Sequence, residues 1–303
     1  MMENFQCGRW IADGQYMRDV PPEKLYQGFI ETFTPGSNEN ACRILDDTGI
    51  YAITKQNWDS TFFGFDIARI EIYNNGTINK AHFDALIQWA KDKNISYLTT
   101  RASLANTSLV NFWAENGFKL LTSKYMLRHA IAAMNSPEVP EGFEFASLGP
   151  YELNEIMDFA GSSFGHSRFM ADPAFTRKRI EEMYNSWLNN FLLAPENKII
   201  TLRHKQQTIG FCAFSKSIAL YKLQHTMPPH GFVSLIAVRP EFRGKNLGVL
   251  LLEKTKQVLK DAGINLVFAN VDLMNTGSLR MFQHSAYQVF NTFSEYKLAL
   301  KYK

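Results

Sequence analysis

A repeat constrains this chain more than any other feature. "NISYLTTRASLANTSLVNFWAENGF" (Asn94–Phe118) and "GINLVFANVDLMNTGSLRMFQHSAY" (Gly263–Tyr287) run in one order: strand, short loop, Asn-Thr, amphipathic helix, aromatic. Ile95 and Ile264, and Asn106 and Asn275, stand in one gapless 169-residue register, although shared identities are few. The register is expected to hold upstream, setting "FDIAR" (Phe65–Arg69) against "SLIAV" (Ser234–Val238) and the helix pattern Asn79–Lys93 against Gly248–Ala262. Each half then reads strand, turn, helix, strand, helix, strand. Strands alternating with helices predict an α/β layer fold.

The 303 residues are enough for two such modules. We expect a truncated N-terminal module with an N-terminal extension over 1–132, a linker over 133–142 and a complete C-terminal module over 143–303. Pro137, Pro140 and Gly142 mark the linker, and Pro21-Pro22 reads as a helix start in the extension. Apolar residues make up 46% and charged residues 20%, a globular balance. A net charge of +3 argues against a nucleic-acid partner. Cys7, Cys42 and Cys212 are odd in number and widely spaced, which predicts reduced thiols, and no Cys/His spacing predicts a metal site. Glu3, Arg9, Asp13, Arg18 and Asp19 interrupt the first twenty residues, so no signal peptide is expected. No run reaches about 18 apolar residues, so no membrane partner is expected and the cytoplasm is the expected compartment.

The halves differ in one turn. After "FVSLIAV" the second half carries "RPEFRGKNLG", where Pro240 ends the strand. Gly244 and Gly248 can take positive φ, and Asn246 is among the residues that best tolerate it. Helix spacing resumes at Leu247 and stops at Gly263. Such a turn aims backbone N–H groups outward at a helix N-terminus, where they and the dipole favour an anion. Arg243 and Lys245 add charge, and an Arg fork suits phosphate. A diphosphate is the natural guest; the bland alternative is a solvated basic turn. Neither a P-loop nor a G-x-G-x-x-G pattern is present. The first half has "EIYNNGTINKA" here and no basic turn.

"VRPEFRGKNLG" after a strand resembles the acetyl-CoA loop of the GCN5-related N-acetyltransferase (GNAT) superfamily, Arg/Gln-x-x-Gly-x-Gly/Ala. Arg243 and Gly248 match, and Asn246 replaces the first Gly. "NTGSLRMFQHSAY" is similar to the family's later helix, through Asn275 and Ser278. "FGHSRFMADPAFTRKRIEEMYNSWLNN" (Phe164–Asn190) and "WDSTFFGF" (Trp58–Phe65) resemble the dTDP-fucosamine acetyltransferase group, which modifies nucleotide-linked amino sugars for surface glycans. The resemblance implies two GNAT-like modules, each a mixed, mostly antiparallel sheet flanked by helices, with a phosphate loop only in the second. It implies direct acyl transfer to an amine from acetyl-CoA or another acyl-CoA. Two strands would part to admit the pantetheine arm against Ile236, Ala237 and Val238. Arg243, Gly244, Lys245, Asn246, Leu247 and Gly248 would hold the diphosphate. Asn275 would touch the cofactor, cap its helix, or do both.

The family often uses a Tyr seven residues after that Asn as general acid. That position is Phe282, included here among the cofactor contacts, and Phe donates no proton. Another group could act, with His166, His230, Tyr221 and Tyr287 as candidates. The thiolate could leave unaided, since thiols ionise near pH 8.5. Or catalysis is lost. His166, Ser167, Arg168, Phe169 and Asp172 are the expected substrate contacts. Arg168 would meet a phosphate of a nucleotide sugar, or pair with Asp172 on a helix surface. Phe169, Tyr184 and Trp187 suit ring stacking or core packing, Arg177-Lys178-Arg179 a solvated helix face, and an exposed strand edge a homodimer. A peptide or small-molecule amine is the alternative acceptor, and a non-catalytic acyl-CoA-binding protein the alternative role.

Overall fold

The computed structural model describes residues 35–46, 48–74, 77–132, 136–148, 153–216 and 229–300. The helix start at Pro21-Pro22, Cys7 and Tyr221 lie outside these residues. In chain order the first elements are β1 (Gly36–Ser37), β2 (Ala41–Leu45), β3 (Gly49–Lys55), α1 (Asn57–Phe63), β4 (Ile67–Asn74), α2 (Lys80–Asp92), β5 (Tyr97–Ser103), α3 (Thr107–Glu115) and β6 (Lys119–Ala130). There follow β7 (Phe143–Ser147), α4 (Leu153–Ser163), α5 (Arg177–Phe191), β8 (Asn197–His204), β9 (Gln207–Ser215) and β10 (His230–Val238). The last are α6 (Leu247–Asp261), β11 (Leu266–Asp272), α7 (Thr276–His284) and β12 (Gln288–Ala299). Among these residues, no helix is long and apolar enough to cross a membrane.

The chain forms two α/β units. Of the described residues, the first takes 35–123 and 291–300 and the second 124–216 and 229–290. In the first, the strand order is β1-β2-β3-β4-β5-β12, antiparallel except for the parallel pair β4–β5. In the second, the order is β6-β11-β10-β9-β8-β7, antiparallel except for β10–β11. This is the expected mixed, mostly antiparallel architecture, made twice.

The units are not the contiguous blocks 1–132 and 143–303 expected from sequence, because each sheet is closed by the other half's last strand. Residues 293–299 pair with β5, and residues 124–130 pair with β11. The registers are images of one another: Ala299 faces Tyr97, and Ala130 faces Leu266. Because β5 and β11 are repeat images, either last strand meets an equivalent edge, and side chains must discriminate. Glu295 stands opposite Arg101, and Met126 opposite Asn270. Unexchanged pairing would set Glu295 against Asn270 and Met126 against Arg101, losing an opposite-charge pair from a nearly buried position.

The upstream half of the expected register also needs correction. Ile67 pairs with Tyr97, whereas His230 pairs with Leu266. Phe65–Arg69 therefore does not answer to Ser234–Val238; the equivalent strand of the second unit begins six residues earlier, near His230. β10 is one residue longer than β4, the turn Arg239–Asn246 is three residues longer than its counterpart, and α6 starts two residues earlier in the register, which together take up the six. The helices return to the 169-residue register: α2 ends at Asp92 and α6 at Asp261.

Packing follows the amphipathic pattern. In the first unit Trp113 is fully buried and meets Phe83, Phe112 and Phe118 at centroid distances of 5.9, 5.5 and 4.9 Å. In the second, α6 buries Leu247, Leu251, Leu252 and Leu259 along one stripe. "WDSTFFG" forms α1, with Trp58 stacked on Phe62 at 5.4 Å and the chain turning out through Gly64 at φ 78°. Asn106 caps α3 by accepting from Leu109 N, and Asn275 caps α7 by accepting from Ser278 N, both at 3.1 Å.

The start of α2 is closed by side chains. Asn79 Oδ1 accepts from Ala81 N and His82 N, and Asn79 N donates to Tyr51 Oη at 2.7 Å. Asp46 accepts from Thr48 Oγ1 at 2.6 Å and meets His82 Nε2 at 2.5 Å. Burial would raise the Asp46 pKa, but the Thr48 and His82 hydrogen bonds and the His82 charge outweigh it and lower it to about 2.

The repeat also exposes one strained position. The chain leaves α3 through Gly117 at φ 79°, and leaves α7 through its image Ala286 at φ 60°. A Cβ in this region costs about 1–2 kcal/mol. Ala286→Gly is therefore expected to stabilise the protein by about 0.5–1 kcal/mol after the added unfolded-state entropy, read as a higher urea midpoint at unchanged slope.

Candidate functional site

β10 sets the site. On one side it pairs with β9 through Val238, with a bulge between Val233 and Leu235. On the other, its parallel ladder with β11 stops at Val233–Ala269, although β11 runs on to Asp272 against β6. The two strands part there. The β11-facing edge of residues 234–238, including Ile236, Ala237 and Val238, is left outside the ladder, and backbone groups left this way need partners.

The turn that follows is braced from behind. Arg239 donates from Nε to Thr208 O at 2.8 Å and from Nη2 to Glu155 O at 3.2 Å, and lies 4.5 Å over the Phe159 ring. Thr208 Oγ1 in turn donates to Glu155 Oε2. Arg243 donates from Nε to Val238 O at 2.9 Å and from Nη2 to Ser163 Oγ at 3.4 Å. Its own N–H goes to Pro240 O at 3.2 Å. Arg243 thus fastens the turn to the end of β10 and to α4, and the expected phosphate fork is already engaged. Lys245 Nζ rests 5.4 Å over the Phe242 ring and is not in the cavity wall.

Beyond Arg243 the backbone opens. Gly244 has φ 79° and Asn246 φ 56°, the left-handed pair that the composition of the turn predicts. Asn246 occupies the N-cap position of α6 without capping it. Among the described residues, the six successive N–H groups from Gly244 to Val249 donate to no protein acceptor, and the first helical bond runs from Leu250 N to Asn246 O. Six outward donors on a positive dipole end form an anion cradle. Gly248 is not at positive φ as expected. Its small size is needed for packing, since a Cβ there would come within 2.4 Å of Met281 Sδ.

The turn, the parted edge and α7 enclose a cavity of about 780 Å³. It brings together Ile236, Ala237, Val238, Arg243, Gly244, Asn246, Leu247, Gly248, Asn275 and His166. Asn275 both caps α7 and faces the cavity. Phe282 does not reach it. It is 3% exposed and packs edge-on against Tyr287 at 4.9 Å, which corrects its assignment as a cofactor contact. Tyr287 is buried in the same core, its hydroxyl has no hydrogen-bond partner, and burial pushes its pKa well above 10. His230 lies at the far end of β10, buried edge-on against Phe268 at 5.6 Å, and is no candidate acid.

The expected substrate segment lies in the turns between α4 and α5. His166 and Gly165 line the cavity; Ser167, Arg168, Phe169 and Asp172 do not. Ser167 Oγ accepts from Met170 N, and the buried Asp172 accepts from Ala174 N, so both shape the turn. Arg168 lies 4.6 Å over the Phe169 ring. Tyr184 packs on Phe164 and Trp187 stacks on Phe191. Arg177 and Arg179 pair with Glu181 and Glu182 on the surface of α5, the solvated face read from the sequence. Sequence reasoning missed Ser162, Ser163, Arg280, Met281 and His284 in the wall. The available signal was helical spacing: a helix capped at the cavity by Asn275 presents one following face, 277, 280, 281 and 284.

Two α/β units, one carrying an anion-cradling turn beside parted strands, define the class. Residues 165–287, nearly all of them in the second unit, match the model of the acetyltransferase (GNAT) family. The chain is 22% identical over 173 residues to the spore coat polysaccharide biosynthesis protein SpsD of Bacillus subtilis, a match covering 57% of this chain and 56% of that protein. The chain thus spans little more than half the length of that relative. A tandem GNAT protein from the clavulanic acid biosynthesis pathway has a TM-score of 0.59 at 15% identity, covering 100% of this chain and 97% of its own. A glucosamine N-acetyltransferase region of a fungal multi-domain β-N-acetylglucosaminidase reaches 0.62 at 11%, covering 96% of this chain and 36% of its own. At such identities the likenesses are of fold.

Acetyltransferases of this family use acetyl-CoA. The wall fits that group: free N–H donors suit its diphosphate, and a strand edge without partners suits the amides of its pantetheine arm. Because the cradle depends on backbone conformation at 246, Asn246→Gly should keep acetyl-CoA affinity within about twofold. Asn246→Val, strained at positive φ, should weaken it by about tenfold or more in a calorimetric titration.

Proposed function

We propose that this protein is an acyl-CoA-dependent N-acetyltransferase that acylates the amine of a nucleotide-linked amino sugar in surface glycan synthesis. The observation that carries the reading is the parting of β10 from β11 immediately before six unbonded N–H groups. When bound, acetyl-CoA supplies an acyl group activated as a thioester. Residues 244–249 hold its diphosphate, and the open edge of 234–238 aligns the arm as an added strand.

The remaining task is a proton. The acceptor amine must be neutral to attack, and the departing thiolate gains from an acid. Phe282 and Tyr287 are in the core. Among the described lining residues, His166 and His284 carry imidazoles, whose ring nitrogens can accept or donate a proton. His166 follows α4, on the side where Ser163 meets Arg243, and it leads into the Ser167–Asp172 turn that would face the acceptor. We assign it the proton transfer. An amino-sugar acceptor is supported by the polysaccharide role in the name of the Bacillus subtilis relative and by the glucosamine activity named for the fungal fold neighbour. Arg168, two residues after His166 and outside the cavity wall, is the cation assigned to the nucleotide phosphates.

Thiol release from acetyl-CoA should be seen with at least one member of a panel of nucleotide-linked amino sugars. Turnover on a peptide amine alone would overturn the acceptor, and cofactor binding without any turnover would leave a non-catalytic acyl-CoA-binding protein. His166→Ala should lower kcat by about a hundredfold and flatten the pH profile of kcat. An unchanged profile would mean that the thiolate leaves unaided.

A further inference from the structure

The cradle accounts for one diphosphate, yet the cavity carries more positive charge than the cradle uses. Arg280 and His284, one turn apart on α7, both face it. Both are exposed, and neither makes a hydrogen bond, ion pair or ring contact with any described residue. Their position is set by Met281 between them. Met281 Sδ fills the space above Gly248, so this face of α7 lies against the first turn of α6. The permanent cations in the wall are Arg243 and Arg280, and Arg243 is tied to Val238 O and Ser163. Arg280 is therefore the uncommitted one.

The repeat supplies an internal control. The images of Arg280 and His284 are Asn111 and Glu115 on α3. In that unit the helix start is capped by Asn79. The cation pair is found where the open cradle is found, and is absent where the cradle is closed.

We propose that Arg280 and His284 form a second anion subsite, one that takes a phosphomonoester on the nucleoside end of the cofactor, namely the ribose 3′-phosphate of coenzyme A. An Arg fork one turn from a histidine suits the oxygens of a terminal phosphate better than a bridged diphosphate. The subsite rests on the reading of this cavity as a coenzyme A site, and it makes the protein select coenzyme A over its dephospho form.

Calorimetric titrations with coenzyme A and with dephospho-coenzyme A test it on the full chain. The unmodified protein should bind coenzyme A about tenfold or more tightly than the dephospho form. In Arg280→Ala/His284→Ala that preference should fall to within about twofold, with dephospho-coenzyme A affinity unchanged. Arg280→Lys/His284 should retain part of it. Equal binding of both ligands by the unmodified protein would overturn the subsite, as would a preference that survives the double substitution. Equal loss of both ligands would also overturn it, since it would place these residues on the diphosphate. Binding of neither ligand to the unmodified protein would sink the functional reading itself, a result distinct from each of these. Because both side chains are exposed, their removal leaves the core intact, which an unchanged circular dichroism spectrum checks.

Discussion

The site depends on backbone groups that the fold declines to satisfy for itself. Buried or half-buried N–H and C=O groups are nearly always paired. Here the β10–β11 ladder stops at Val233–Ala269, and the helix after it begins without a cap bond. Both vacancies fall on one cavity wall, at the point where a strand feeds the positive end of a helix dipole. An extended arm with amides and a diphosphate head answers both at once. The side chains around the turn serve mainly to hold this geometry: Arg239 ties it to β9 and α4, and Arg243 ties it to the end of β10.

The two units show how small a change separates a structural copy from a binding one. Both put a helix after the first strand of a parallel pair, and both bring the next helix in on an Asn cap. In the first unit the strand-to-helix connection is short and Asn79 closes the helix start with its side chain. In the second the connection has eight residues against five, and Asn246 turns into the left-handed region instead of capping. One asparagine consumes the donors and the other exposes them. The exchange of last strands has the same origin. Duplicated edges are interchangeable in register, and side chains such as Glu295, which stands opposite Arg101, tell one from the other.

The proton chemistry separates this wall from the pattern the motifs resemble. A phenylalanine at 282 moves that position from the cavity into the core, and Tyr287 closes over it. The imidazoles left in the wall are those of His166, which follows α4, and His284, on α7.

Much of this was legible in the chain itself. Local periodicity located strands and helices, the repeat predicted two α/β modules, and the Gly-Lys-Asn-Leu-Gly turn predicted outward N–H groups, because those depend on spacing and on which residues tolerate positive φ. Gly244 and Asn246 adopt that conformation. What tertiary structure decided was long-range. Strand partners are chosen by edges far away in sequence, so the closing strands and the β4–β10 register were invisible to a gapless comparison. Side-chain destinations are equally non-local: Arg243 turned back to its own strand, Phe282 and His230 turned inward, and Arg280 with His284 turned to the cavity. A sequence determines which backbone conformations are cheap; which polar group meets which partner is settled only when distant surfaces compete for it during packing.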